Sequence, residues 1–206
     1  MIQLFWLRTD LRVADNTALS QALSNGPTVA VYLITPQQWL AHDDAPCKVD
    51  FWLRNLACLR EQLGKLNIPL LIRNCADWQQ APVTLLQLSQ QIGAGAVHCN
   101  EEYGIHETRR DQACSSLLEP QGIAFTAHFD QLLLKPGSVL TQSGNYFQVF
   151  SQFRKVCYQR LHRSLPACLP YPAAQAALPV SSDELPTTVS GFTPPDASLR
   201  QLWPAG

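Results

Sequence analysis

Very little in the composition ties this chain to nucleic acid, membrane or metal. Charged residues are only 15% of the sequence and cancel to a net charge of −1, so the basic footprint of a DNA-binding surface is absent. No stretch approaches the roughly 20 apolar residues that cross a bilayer. The opening apolar run is cut short by Arg8 and Asp10 and has no basic residue ahead of it, so no secretory signal is expected. The seven cysteines are an odd number with no Cys-x-x-Cys spacing, which argues against a disulfide framework or a structural zinc site and for a reduced, cytoplasmic protein. Glycine-rich phosphate loops are missing too. Gly93-Ala94-Gly95 precedes a strand instead of following one and lacks the third glycine of a dinucleotide fingerprint, so it reads as a helix stop. No Ser-His-Asp or Cys-His order suggests a nucleophile, and no catalytic residue is assigned.

What the chain does have is alternation. The stretch from Phe5 to Asn16 runs from a buried strand through a charged turn to a helix. Ala18, Leu19, Ala22 and Leu23 recur at helical spacing, with Asp15 at the expected N-cap. Thr28 to Ile34 is a second strand, and its nearly unbroken apolar character implies burial on both faces, as in a parallel sheet. Thr35 to Pro46 is expected as a loop. Trp52, Leu56, Leu59, Leu63 and Leu66 mark a long amphipathic helix. Further strands are expected at 69–73, 96–100 and 123–127, with helices around Leu85 to Ile92 and Ile105 to Leu118 between them. Five such cycles specify an α/β fold, a doubly wound five-stranded parallel sheet with right-handed crossovers.

Beyond Asp130 the rhythm changes. Residues 131–165 read as a closing segment with a last helix carrying Phe147, Phe150 and Phe153. Residues 166–206 are rich in Pro, Ala and Ser and are expected as an extended interdomain linker leading into a longer protein. Among polar residues, Arg8, Asp10 and Arg12 at the strand-to-helix turn read either as a polar wall to the ligand crevice or as an ion-pair and hydrogen-bond network that holds the turn in shape. His106 and Glu107 fall in the first turn of the helix after the fourth strand. A carboxylate there either pairs with Arg110 one turn on or accepts paired N–H donors from the edge of a heterocycle. His42, taken alone, is a loop histidine.

The motif Trp6-Leu7-Arg8-Thr9-Asp10-Leu11-Arg12-x-x-Asp15-Asn16 resembles the opening of the DNA photolyase and cryptochrome family. It is joined in order by Thr35-Pro36-Gln37-Gln38-Trp39 with His42, Gly64 to Leu70, Asn100 to Tyr103 with Glu107 and Asp111, Pro136-Gly137, and Phe147 to Phe153. The resemblance is to the N-terminal α/β domain of a class I photolyase with a folate antenna, a Rossmann-like domain covering residues 1–130. It implies an antenna chromophore, methenyltetrahydrofolate, held by His42, His106 and Glu107, with His106 where the pattern usually has Asn. It also implies a partner, a C-terminal FAD-binding helical domain absent from this chain. The longer protein would repair cyclobutane pyrimidine dimers in UV-damaged DNA by light-driven electron transfer from reduced FAD, and the 206-residue chain alone would not. A cryptochrome-type receptor fragment and a standalone nucleotide- or flavin-binding module are the alternatives. An exposed apolar edge, left where the helical domain would sit, is expected to favour dimers.

Overall fold

The computed structural model describes all 206 residues. Five parallel strands, β1 (Ile2–Leu7), β2 (Thr28–Ile34), β3 (Leu70–Asn74), β4 (Ala94–Asn100) and β5 (Ala124–His128), form one sheet in the order β3-β2-β1-β4-β5. The chain winds outward from β1 to β3, then returns to the other side of β1 for β4 and β5. The sheet therefore reverses direction between β1 and β4, where open α/β folds usually bind their ligands.

The continuous apolar strands are explained by two cores. Phe5, Leu7, Ala30, Ile34 and Leu70 face one side, against α1 (Thr17–Asn25) and α3 (Pro46–Lys65). Leu4, Trp6, Val29, Val31 and Leu71 face the other, against α4 (Ala81–Ile92) and α5 (Ile105–Leu118). Successive side chains of a strand point to opposite faces, so only a sheet covered on both sides needs every position apolar. Gly93 ends α4 in the left-handed conformation, at φ 68°, which glycine adopts without strain.

Two local expectations are corrected. The N-cap of α1 is Asn16, whose side chain accepts from Leu19 N–H. Asp15 is the residue before it and takes φ 50°, a left-handed turn that Asp tolerates better than most residues. The segment 35–46 is not all loop, since Pro36–Ala41 forms a short helix, α2, with proline in its first turn.

Residues 166–206 run over the domain surface with a single short helix, α7 (Ala197–Leu202). The run is tied down at several points. The Gln175 amide exchanges hydrogen bonds with the backbone of Thr28, at 2.7 and 2.8 Å. Ser182 and Asp183 bond the outer edge of β3 at Leu70 and Ile72. Val189 and Phe192 enter the first core. This strap covers the β3 edge, removing it as a place for another strand to add. By contrast α6 (Phe150–Arg163) buries none of its residues, and its Phe150 and the preceding Tyr146 and Val149 are largely exposed. Exposed apolar residues are found on and before α6 and also elsewhere, at Ile105, Leu133 and Trp203. No helix is long and apolar enough to cross a membrane.

Candidate functional site

The crevice between β1 and β4 is filled by the protein itself. The Arg8 guanidinium bonds the carbonyl of Asn100 and, at 2.7 and 2.8 Å, the Asp111 carboxylate. Asp10 accepts from Arg8 N–H, from Asn16 and from Asn100, the last at 2.6 Å. The first four N–H groups of α1 are all taken, by Asp130 at Thr17, Asn100 at Ala18, and Asn16 at Leu19 and Ser20. A helix N-terminus binds phosphate only when its N–H groups are free. Here none is. The network expected around Arg8, Asp10 and Arg12 exists, and it plugs the place where a nucleotide would sit.

The open cavity lies to one side, above β1 and β2, and encloses about 190 Å³. Its walls carry four of the five tryptophans: Trp6, Trp39, Trp52 and Trp78. Trp39 and Trp52 meet at 5.2 Å between ring centroids. The Arg110 guanidinium is held between two indoles, 4.8 Å from each of the Trp6 and Trp78 ring centroids, a cation–π sandwich that fixes both rings. Lys48 lies over Trp52 and pairs with Asp44 at 2.5 Å.

Charges in the wall are mostly spoken for. Glu102 pairs with Arg110 at 2.9 Å and Arg8 at 3.4 Å. Burial alone would push the Glu102 carboxyl up, but the two arginines outweigh it and hold it below the usual carboxylate range. Glu107 is different. The expected pairing with Arg110 one turn on does not form, because Arg110 is engaged by Glu102 and Asp111. The Glu107 carboxylate lines the cavity with no hydrogen-bond or ion-pair partner in the protein.

His42 also lines the cavity, bonded to Gln38 at 2.7 Å and edge-on to Trp78 at 5.5 Å. It is solvent-exposed at the turn ending α2 and meets His106 at 5.9 Å, ring edge to face, so His106 stands at the cavity rim. His42 and the adjacent pair His106 and Glu107, 64 positions further along the chain, are thus brought together at one cavity. The tryptophans, Tyr32 and Lys48 were not anticipated as cavity wall. Their one signal was the crowding of four indoles into the first 78 residues.

Other reactive groups lie elsewhere. His98 is buried and bonded to Gln3 and His128 at 3.0 Å each. Burial and the neighbouring His128 push its pKa down to about 4. Cys99 and Cys114 are in the second core, where burial pushes both thiols up to about 12, and such cysteines are inert.

The sequence model of the DNA photolyase family matches residues 3–173. A deoxyribodipyrimidine photo-lyase of Vibrio cholerae is 43% identical over 75% of this chain and 33% of its own length. One from Salmonella typhimurium is 31% identical over 91% of the chain and 40% of its own. The chain therefore spans between a third and two fifths of these relatives. Among solved structures, a class III photolyase from Agrobacterium tumefaciens superposes with a TM-score of 0.73 at 25% identity, covering 88% of this chain and 36% of that one. A Synechocystis cryptochrome shares the fold, with a TM-score of 0.74 at 24% identity over 97% of this chain and 40% of its own. With the family's sequence model matching most of its length and its fold shared with these structures, the chain belongs to the DNA photolyase family.

Proposed function

We propose that this chain is the light-harvesting domain of a deoxyribodipyrimidine photolyase and that its cavity holds methenyltetrahydrofolate. The observation that carries the proposal is an unpartnered carboxylate, Glu107, in a cavity walled by tryptophan. A pterin has a flat ring with an N–H and an amino group side by side at one edge. Glu107 accepts from that edge with two parallel bonds, which orients the ring as well as holding it. The indoles supply flat apolar surface, and their faces favour the positive charge of the methenyl form. His42 and His106 close the rim. The cavity, about 190 Å³, gives a flat ring system room between the indoles. The filled crevice at β1 and β4 and the fully bonded N-terminus of α1 argue against the rival reading as a nucleotide- or flavin-phosphate module.

When bound, the folate absorbs near-ultraviolet and blue light and passes the excitation on. The receiver would be FAD in a C-terminal helical domain of a longer protein, which would split pyrimidine dimers in DNA. In this reading residues 1–130 form the antenna domain, 131–165 present an interdomain face through α6, and 166–206 lead across the surface toward the helical domain.

The test is to add methenyltetrahydrofolate to the purified chain and follow its fluorescence. Saturable binding is expected, weakened at least tenfold in Glu107→Gln, which removes a charge-assisted pair worth about 1.5–3 kcal/mol. Absence of binding, or equal affinity in the variant, would refute the reading.

A further inference from the structure

Tyr32 carries a second unmet demand in the same cavity. It lies on β2 opposite Leu7 of β1 and Ile72 of β3, so strand pairing on both sides fixes its backbone. Its ring packs in the first core and only 6% of the residue is exposed. The hydroxyl has no hydrogen-bond partner in the protein, yet it is not among the sealed polar atoms: it opens on the cavity.

A phenol held this way is unfavourable for folding. Phenylalanine would fill the same space without leaving a polar group unmatched. Burial, and then the nearby carboxylates of Glu102, Asp44 and Asp10, push the phenol's pKa upward. The hydroxyl therefore stays protonated and is available as a donor.

We propose that Tyr32 is a specificity-determining residue of the cavity, its hydroxyl donating a hydrogen bond to a carbonyl oxygen or ring nitrogen of the bound heterocycle. The inference rests on the pterin reading and deepens it. Glu107 demands a ligand edge of donors, and Tyr32 demands an acceptor. A 2-amino-4-oxo ring offers both. The imide edge of a flavin, with one N–H flanked by two carbonyls, gives Glu107 a single donor and sets oxygens against its charge. Selection for the folate ring over flavin would then come from two side chains on different elements, β2 and α5.

The experiment uses the full 206-residue chain as wild type, Tyr32→Phe and Glu107→Gln, titrated with methenyltetrahydrofolate and, separately, with riboflavin. Melting temperatures are recorded without ligand. For Tyr32→Phe the expected result is an affinity for the folate lowered about tenfold, as for loss of one good hydrogen bond. The absorption maximum of the bound folate should also move from its wild-type position, while the unliganded melting temperature stays equal or rises. Riboflavin should bind all three proteins weakly. Wild-type affinity and an unmoved absorption band in Tyr32→Phe would overturn the role of Tyr32 while leaving the pterin reading intact, provided Glu107→Gln still loses affinity. A fall in melting temperature alongside affinity would make the hydroxyl structural and would also overturn it. No folate binding by the wild type would remove both readings together.

Discussion

Two polar regions lie side by side at the carboxyl end of the sheet, and they are built on opposite rules. In the β1–β4 crevice, Asp10, Asn16, Asn100 and Asp130 satisfy one another and the four leading N–H groups of α1. In the cavity above β1 and β2, the Glu107 carboxylate and the Tyr32 hydroxyl have no hydrogen-bond partner within the protein. Both regions hold charges, and both sit where an α/β fold would bind a ligand. The lesson is that position and polarity do not identify a site. A closed set of hydrogen bonds stabilises the fold, whereas an unclosed set is waiting for a molecule.

The comparison breaks most visibly at Asp10. Asp10→Ala strips an acceptor from three buried donors at once and is expected to lower stability by about 3–5 kcal/mol, a large shift in the urea midpoint. Acidification should act next. His98 titrates at about 4 in the folded chain against about 6.5 unfolded, so the unfolded state binds more protons between those values. Stability is complete above pH 6.5 and falls as the pH drops toward 4, by about 1–3 kcal/mol. Glu102, held below its ordinary value, adds a further loss at still lower pH, and His98→Gln should flatten the upper part of the curve in thermal melts. A smaller effect is expected at the strap. Asp183→Ala frees the Ile72 N–H and the half-buried Arg73, costing about 1 kcal/mol and raising hydrogen exchange along β3 selectively. The smallest stability effect belongs to the cavity, since Glu107→Gln should leave the unfolding free energy within about 0.5 kcal/mol of wild type.

How much of this could be read in advance differs between the two regions. The central strands were legible because burial on both faces writes itself as unbroken apolar runs such as Val29 to Ile34, and the edge strands by their place in the alternation with helices. Gly93 was legible because a left-handed helix stop favours one residue. The N-cap was misplaced by one position because Asp15 and Asn16 are both good caps, and only the backbone shows that Asp15 turns left-handed. The partners of Arg8 and Arg110 were not legible. Arg8 finds Asp111 across 103 positions, and the nearer Glu107 loses Arg110 to Glu102, so a local helix-pair rule gave the wrong answer. His42, His106 and Glu107 were reached through a family likeness. By local pattern alone each looked like an ordinary surface residue, because an empty cavity is a property of packing and leaves no trace in spacing.

The most direct test of this contrast follows tryptophan emission while methenyltetrahydrofolate is added to the chain. Four of the five indoles wall the cavity, so a ligand there must quench them. A saturable quench with one folate per chain, moved at least tenfold to higher concentration by Glu107→Gln with no change in melting temperature, is the predicted result. Emission that stays constant, or a midpoint indifferent to Glu107, would contradict the assignment of the open cavity as the binding site.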